Sequence, residues 1–183
     1  MKHAAFLFKI FFFGYLGYLL YYIVSYVTPS AAQSVLPFAL WVVTTIDLFI
    51  HETGHLFFSL FGDWIHALGG SLFQCLLPLA LLVVTWRQDR RHIAYPGFWL
   101  GLNLVDASIY VYDAPFKRLR LISSSCTHDW NYLLSGHLTL AQPTSYALFM
   151  LGILLCAASI LVGFYFAYSD FRDYITPPLF QDE

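Results

Sequence analysis

The sequence predicts an all-α integral membrane protein, a compact bundle of about five transmembrane helices in one domain. Three observations predict it. Of 183 residues, 59% are hydrophobic and 20% aromatic, and only 11% are charged, against about 25% charged in a soluble domain. Apolar runs of ~20 residues, enough to cross a ~30 Å hydrocarbon core, recur along the chain. Turn residues or clustered charges separate the runs, and Tyr and Trp gather near their ends, as at membrane interfaces. The same arithmetic excludes a disordered chain, which is poor in aromatics. A net charge of −2 leaves no cationic field for nucleic acid. The three cysteines, Cys75, Cys126 and Cys156, lie far apart, which argues against a disulfide framework and a thiolate zinc site.

The spans follow in order, all within a single domain over 1–169. The first covers about 4–27, carries one lysine, Lys9, and stops at Thr28-Pro29-Ser30. The second covers 35–61 and stops at Gly62-Asp63. The third covers 68–86, before Arg87, Asp89, Arg90 and Arg91. The fourth covers 93–112 and stops at Asp113-Ala114-Pro115. The fifth, 146–168, is the most uniformly apolar. Residues 113–143 form the one long connection. The acidic tail, 170–183, contains Pro177-Pro178 and is expected to be flexible.

Chemistry enters with His51-Glu52-Thr53-Gly54-His55 in the second span. Residues i and i+4 of a helix lie ~40° apart around the axis and ~6 Å apart along it. Two imidazoles at that spacing can face one metal ion, and the glutamate beside them can reach a water there. With 7 His in the chain and Glu52 one of two glutamates, roughly 0.003 such patterns are expected by chance. Ionisable groups at membrane depth cost ~2.5–3.5 kcal/mol on the mildest scale, so those retained are mostly functional. The bland alternative is a polar knot that holds helices together.

A catalytic zinc takes three protein ligands. Asp47, one turn before His51, suits a partner for a ligand imidazole better than a third ligand on the same straight helix. Asp106 in the fourth span is the expected third ligand, because the second and fourth spans run in the same direction. His55 lies ~10 Å and Asp106 ~9 Å before their span ends, a similar depth. Asn103, one turn deeper, is a candidate for holding substrate or the attacking water. His128 and Asp129 in the long loop are alternatives, as a ligand or as a transition-state donor, or simply as a helix cap. Gly69-Gly70-Ser71 and Gln74 open the third span, where small residues allow close packing.

An HExxH pattern inside a membrane helix, followed by an aspartate in a later span, resembles the site-two-protease group of intramembrane zinc metalloproteases. It is most similar to the small bacterial branch of that group. The resemblance runs from about His51 to Asp113. It implies zinc held by His51, His55 and Asp106, with Glu52 activating water for peptide hydrolysis. It also implies membrane-embedded or membrane-associated protein substrates, membrane lipids as surroundings, and a bacterial inner-membrane location. Alternating spans put Lys2, Lys9, Lys117, Arg118 and Arg120 on the side of the site and Arg87, Arg90, Arg91 and Arg172 on the other. That balance leaves orientation open, while the resemblance implies a cytosol-facing site. The competing classes are a metal-dependent hydrolase of a lipid amide and a non-catalytic metal-binding scaffold.

Overall fold

The computed structural model describes residues 2–30, 35–119 and 128–175. The regular structure among these residues is all helical, with no strand. Helix α1 covers Lys2–Tyr26, α2 Phe38–Phe58, α3 Asp63–Gln88, α4 Ala94–Asp113, α5 Asp129–Leu133 and α6 Ala141–Ile175. Short 3₁₀ turns at Ser59–Phe61, Arg90–His92 and Leu138–Leu140 join them. Three stretches are long and apolar enough to cross a membrane: His3–Tyr26, Asp63–Gln88 and Leu138–Ile175. The two remaining long helices, α2 and α4, are the ones that carry Asp47, His51, Glu52 and His55, and Asn103, Asp106 and Asp113.

Local chemistry sets the breaks. Pro37, which lacks an N–H, stands just before α2. Gly62 adopts φ 87° between α2 and α3, a conformation that side chains with a Cβ disfavour. It lets α3 start at Asp63, five residues before the expected span. Pro78 lies buried inside α3, where neighbouring helices can compensate for the missing hydrogen bond. The last helix runs on through Ile175, so the first residues of the expected tail are helical. Residues 176–183 lie outside the described residues.

Close backbone approach, allowed by glycine, holds the helices together. A Cβ on Gly101 of α4 would stand 2.8 Å from the Gly152 carbonyl of α6 and 2.5 Å from Cys156 Sγ. A Cβ on Gly54 of α2 would run into the Gly69 carbonyl of α3. Between apolar helices in lipid, such contact supplies the association that hydrophobic burial supplies in water. A core of Phe13, Leu16, Leu19 and Ile23 from α1 packs with Phe98 and Val105 of α4 and Phe149 and Ile160 of α6.

These contacts also fix the sense of each helix. Lys9 meets Asp170 and Phe6 stacks on Phe171, while Phe13 abuts Gly163, so α1 and α6 are antiparallel. Gly97 abuts Ser159 and Gly101 abuts Gly152, so α4 and α6 are antiparallel. Gln74 meets Asp106 and Leu82 meets Gly97, so α3 opposes α4. His51 meets Gln74 and His55 meets His66, so α2 opposes α3. Helices α1, α2 and α4 therefore share one direction. Strict alternation fails between α1 and α2: Val35, just before α2, lies beside α1, where the Tyr22 hydroxyl donates to its carbonyl. Lys9 consequently lies at the end of the bundle away from His55, contrary to the expected grouping of charges.

Candidate metal centre

His51 and His55 stand one turn apart on α2, with rings 4.8 Å apart between centroids. Each ring has its Nδ1 committed. His51 Nδ1 lies 3.1 Å from the Gln74 side-chain oxygen on α3. His55 Nδ1 lies 2.8 Å from the His66 carbonyl, and His66 Nδ1 returns a bond of 2.9 Å to the His55 carbonyl. Carbonyl oxygens only accept, so both imidazoles donate from Nδ1 and keep a lone pair on Nε2.

Both lone pairs converge on Asp129. The Nε2 atoms are 3.1 Å apart, and Asp129 Oδ2 lies 3.4 Å from His51 Nε2 and 3.2 Å from His55 Nε2. Ligands about 2.0–2.1 Å from a tetrahedral zinc stand ~3.3 Å apart. The triangle has the edge length of such a site. Three acceptors facing one point repel one another unless a cation joins them, so the donor chemistry fits a metal as well as the distances do. Space is kept for it: a Cβ on Gly70 would press on Nε2 of both rings.

Asp129 reaches the centre because α5 docks on α3 and α4. Trp130 Nε1 donates to Ser71 Oγ at 3.0 Å, and Asn131 Nδ2 donates to the Ala114 carbonyl at 2.8 Å. The Tyr110 hydroxyl donates to Asp129 Oδ2 at 2.9 Å and accepts from the Asp129 amide at 3.2 Å. Burial opposes the charge on Asp129, and the hydrogen bond from Tyr110 supports it.

The expected third ligand lies elsewhere. Asp106 Oδ2 accepts from Gln74 Nε2 at 2.8 Å, while the group of potential ligand atoms within 4.8 Å of one another comes from His51, His55 and Asp129. Spacing could not reveal this, because tertiary docking of α5 brings Asp129 in. Asp47 is buried and accepts from Trp99 Nε1 at 2.8 Å. It ties α2 to α4, and Gln74 takes the imidazole-partner place expected for it. Asn103 is fully buried and donates back to the Trp99 carbonyl at 2.9 Å. His128 precedes α5, and its buried Nδ1 has no hydrogen-bond partner among the described residues. Glu52 is half-buried next to His51. The role of α3 left a sequence signal: Gly70, Ser71, Gln74 and Pro78 form a buried stripe at helical spacing, and the sequence assigned the first three only to close packing. Comparison with protein-family models, curated proteins and solved structures returns no match.

Proposed function

We propose that the protein is a membrane-embedded zinc hydrolase that cleaves peptide bonds in membrane-embedded or membrane-associated protein substrates. The observation that carries this reading is the convergence of two imidazole lone pairs and one carboxylate oxygen beside a glutamate. His51, His55 and Asp129 would hold the ion. When bound, zinc supplies Lewis acidity toward a carbonyl and lowers the pKa of water. Glu52 accepts the proton of the attacking water and passes it to the leaving amine. Gly70 keeps the space at the two nitrogens clear. A helical substrate has to unwind locally, since its own hydrogen bonds shield the scissile amide.

Lipid surroundings are supported by the exterior of the bundle, where Phe8, Phe11, Leu161 and Tyr165 are each at least 66% exposed. In this reading α2 and α4 lie in the bilayer with the three apolar helices. Lys9, Arg87, Arg90, Arg91 and Arg172 belong to the end away from the metal centre, against Lys117 and Arg118 at its own end. That asymmetry favours a cytoplasmic position for the Lys9 end. The metal centre then faces outward, the reverse of the orientation that the resemblance implies.

A second reading, hydrolysis of a lipid amide, is favoured by one feature: the third ligand comes from a separate loop helix. The deciding experiment assays purified wild type and Glu52→Gln for bound zinc, and for cleavage of membrane peptides and of a ceramide-type amide. Peptidase chemistry predicts full zinc in Glu52→Gln with peptide turnover reduced at least ~100-fold. Turnover of the lipid amide alone selects the second reading. A wild type with zinc but no turnover on either substrate selects a scaffold.

A further inference from the structure

We propose that Asp106 and Gln74 are positioning residues that set the ligand nitrogen of His51 through a buried polarity relay, Asp106–Gln74–His51. The proposal rests on the metal-centre reading and deepens it. A glutamine side chain is ambiguous by itself, because its oxygen and nitrogen ends have the same shape and opposite hydrogen-bonding roles. At position 74 the ambiguity is removed from both sides. Asp106 Oδ2 accepts, so it draws Nε2 of Gln74 toward itself at 2.8 Å. That turns Oε1 of Gln74 toward His51 Nδ1 at 3.1 Å. Facing an acceptor, Nδ1 carries the proton, and the lone pair stays on Nε2, which points at Asp129.

Each link is placed by a different helix, Asp106 on α4, Gln74 on α3 and His51 on α2. Gln74 is 2% exposed, so solvent does not compete for its amide. His55 obtains the same polarity from a fixed backbone carbonyl, that of His66. The relay therefore does with two side chains what the backbone does for the other ring. It also explains why an acidic residue sits in α4 at the depth of the centre without joining it. Asp106 orients a metal ligand through one intervening amide, as partners behind metal-bound histidines do elsewhere.

The test is cobalt(II) titration of the purified full-length protein, read by its visible absorption and by metal stoichiometry. Wild type should take one cobalt with the intense visible band of a tetrahedral site. Gln74→Ala and Asp106→Ala should each keep that stoichiometry, with affinity lowered about 10–100-fold and the band displaced. Their effects should not add, since both break one relay. Gln74→Glu alone sets two carboxylates against each other and should bind cobalt poorly. Adding Asp106→Asn to it restores donor against acceptor, and Gln74→Glu with Asp106→Asn should recover most of the affinity and the band.

Three results overturn the proposal. A Gln74→Ala protein with wild-type affinity and spectrum removes the relay while leaving the metal centre standing. Complete loss of cobalt in Asp106→Ala with little change in Gln74→Ala makes Asp106 a direct ligand. A wild type that takes no cobalt removes the metal-centre reading itself.

Discussion

The bundle grips a carboxylate at each end, and the two grips differ in their nitrogens. At one end Asp170 of α6 lies 2.7 Å from Lys9 Nζ and 3.0 Å from the Arg91 guanidinium. At the other, Asp129 lies within 3.4 Å of Nε2 of His51 and of His55. Lysine and arginine keep their protons, so cations meet a carboxylate and the first cluster needs no added ion. The histidines have spent their one neutral-state proton on Gln74 and His66. What they turn to Asp129 is lone pairs, and in the proposed reading a cation completes the second cluster. Similar geometry gives a clasp or a metal cradle according to what stands behind the nitrogens.

The largest effect should come from turning the cradle into a clasp. His55→Lys places a permanent cation beside Asp129. Metal stoichiometry should fall from one to none, while the fluorescence of Trp130 stays that of docked α5. Retained metal in that variant would break the comparison outright. Gly70→Ala comes next: its methyl group presses on both ligand nitrogens and should weaken metal binding by ~100-fold, comparable to the loss of a supporting partner. Dialysis against a chelator series measures it, and an unchanged affinity would show that the rings do not need that space.

Effects at the clasp are smaller and confined to stability. Lys9→Ala removes a partly exposed ion pair and should cost about 1 kcal/mol, seen as a modest drop in thermal midpoint with metal content unchanged. A loss of metal there would mean that the two ends are coupled. The smallest effect is expected at Asp89, whose exposed carboxylate accepts from the Arg91 amide and from His92. These bonds hold its carboxyl below the usual range. Asp89→Ala should leave metal content and thermal midpoint where they were, and a measurable change in either would give this turn a role in the clasp beside it.

How much of this was legible in sequence depends on the range of the interaction. Helices α1, α3 and α6 announce themselves as apolar runs, because crossing length and composition are local properties. The His51–His55 pair is legible for the same reason, since helical spacing fixes it. Asp129 is legible only as one alternative beside a helix cap, because its approach depends on Trp130 finding Ser71 and Asn131 finding Ala114. Depth matching drew attention to Asp106 and placed it at the right level, but depth says nothing about the amide of Gln74 that stands between it and His51. Alternation misplaces α1 because it assumes that successive spans always run in opposite directions, whereas Val35, just before α2, lies back beside Tyr22.

The clasp has a consequence in time. Lys9 and Asp170 are separated by 161 positions, nearly the whole described chain. At ~5–20 residues per second, the partner of Lys9 is made on the order of ten seconds after Lys9 itself. In the proposed membrane setting, the ammonium until then stays near the interface, reaching there along its own stem. Helix α1 is thus synthesised well before the partner that secures it, and the bundle closes on it only when α6 arrives.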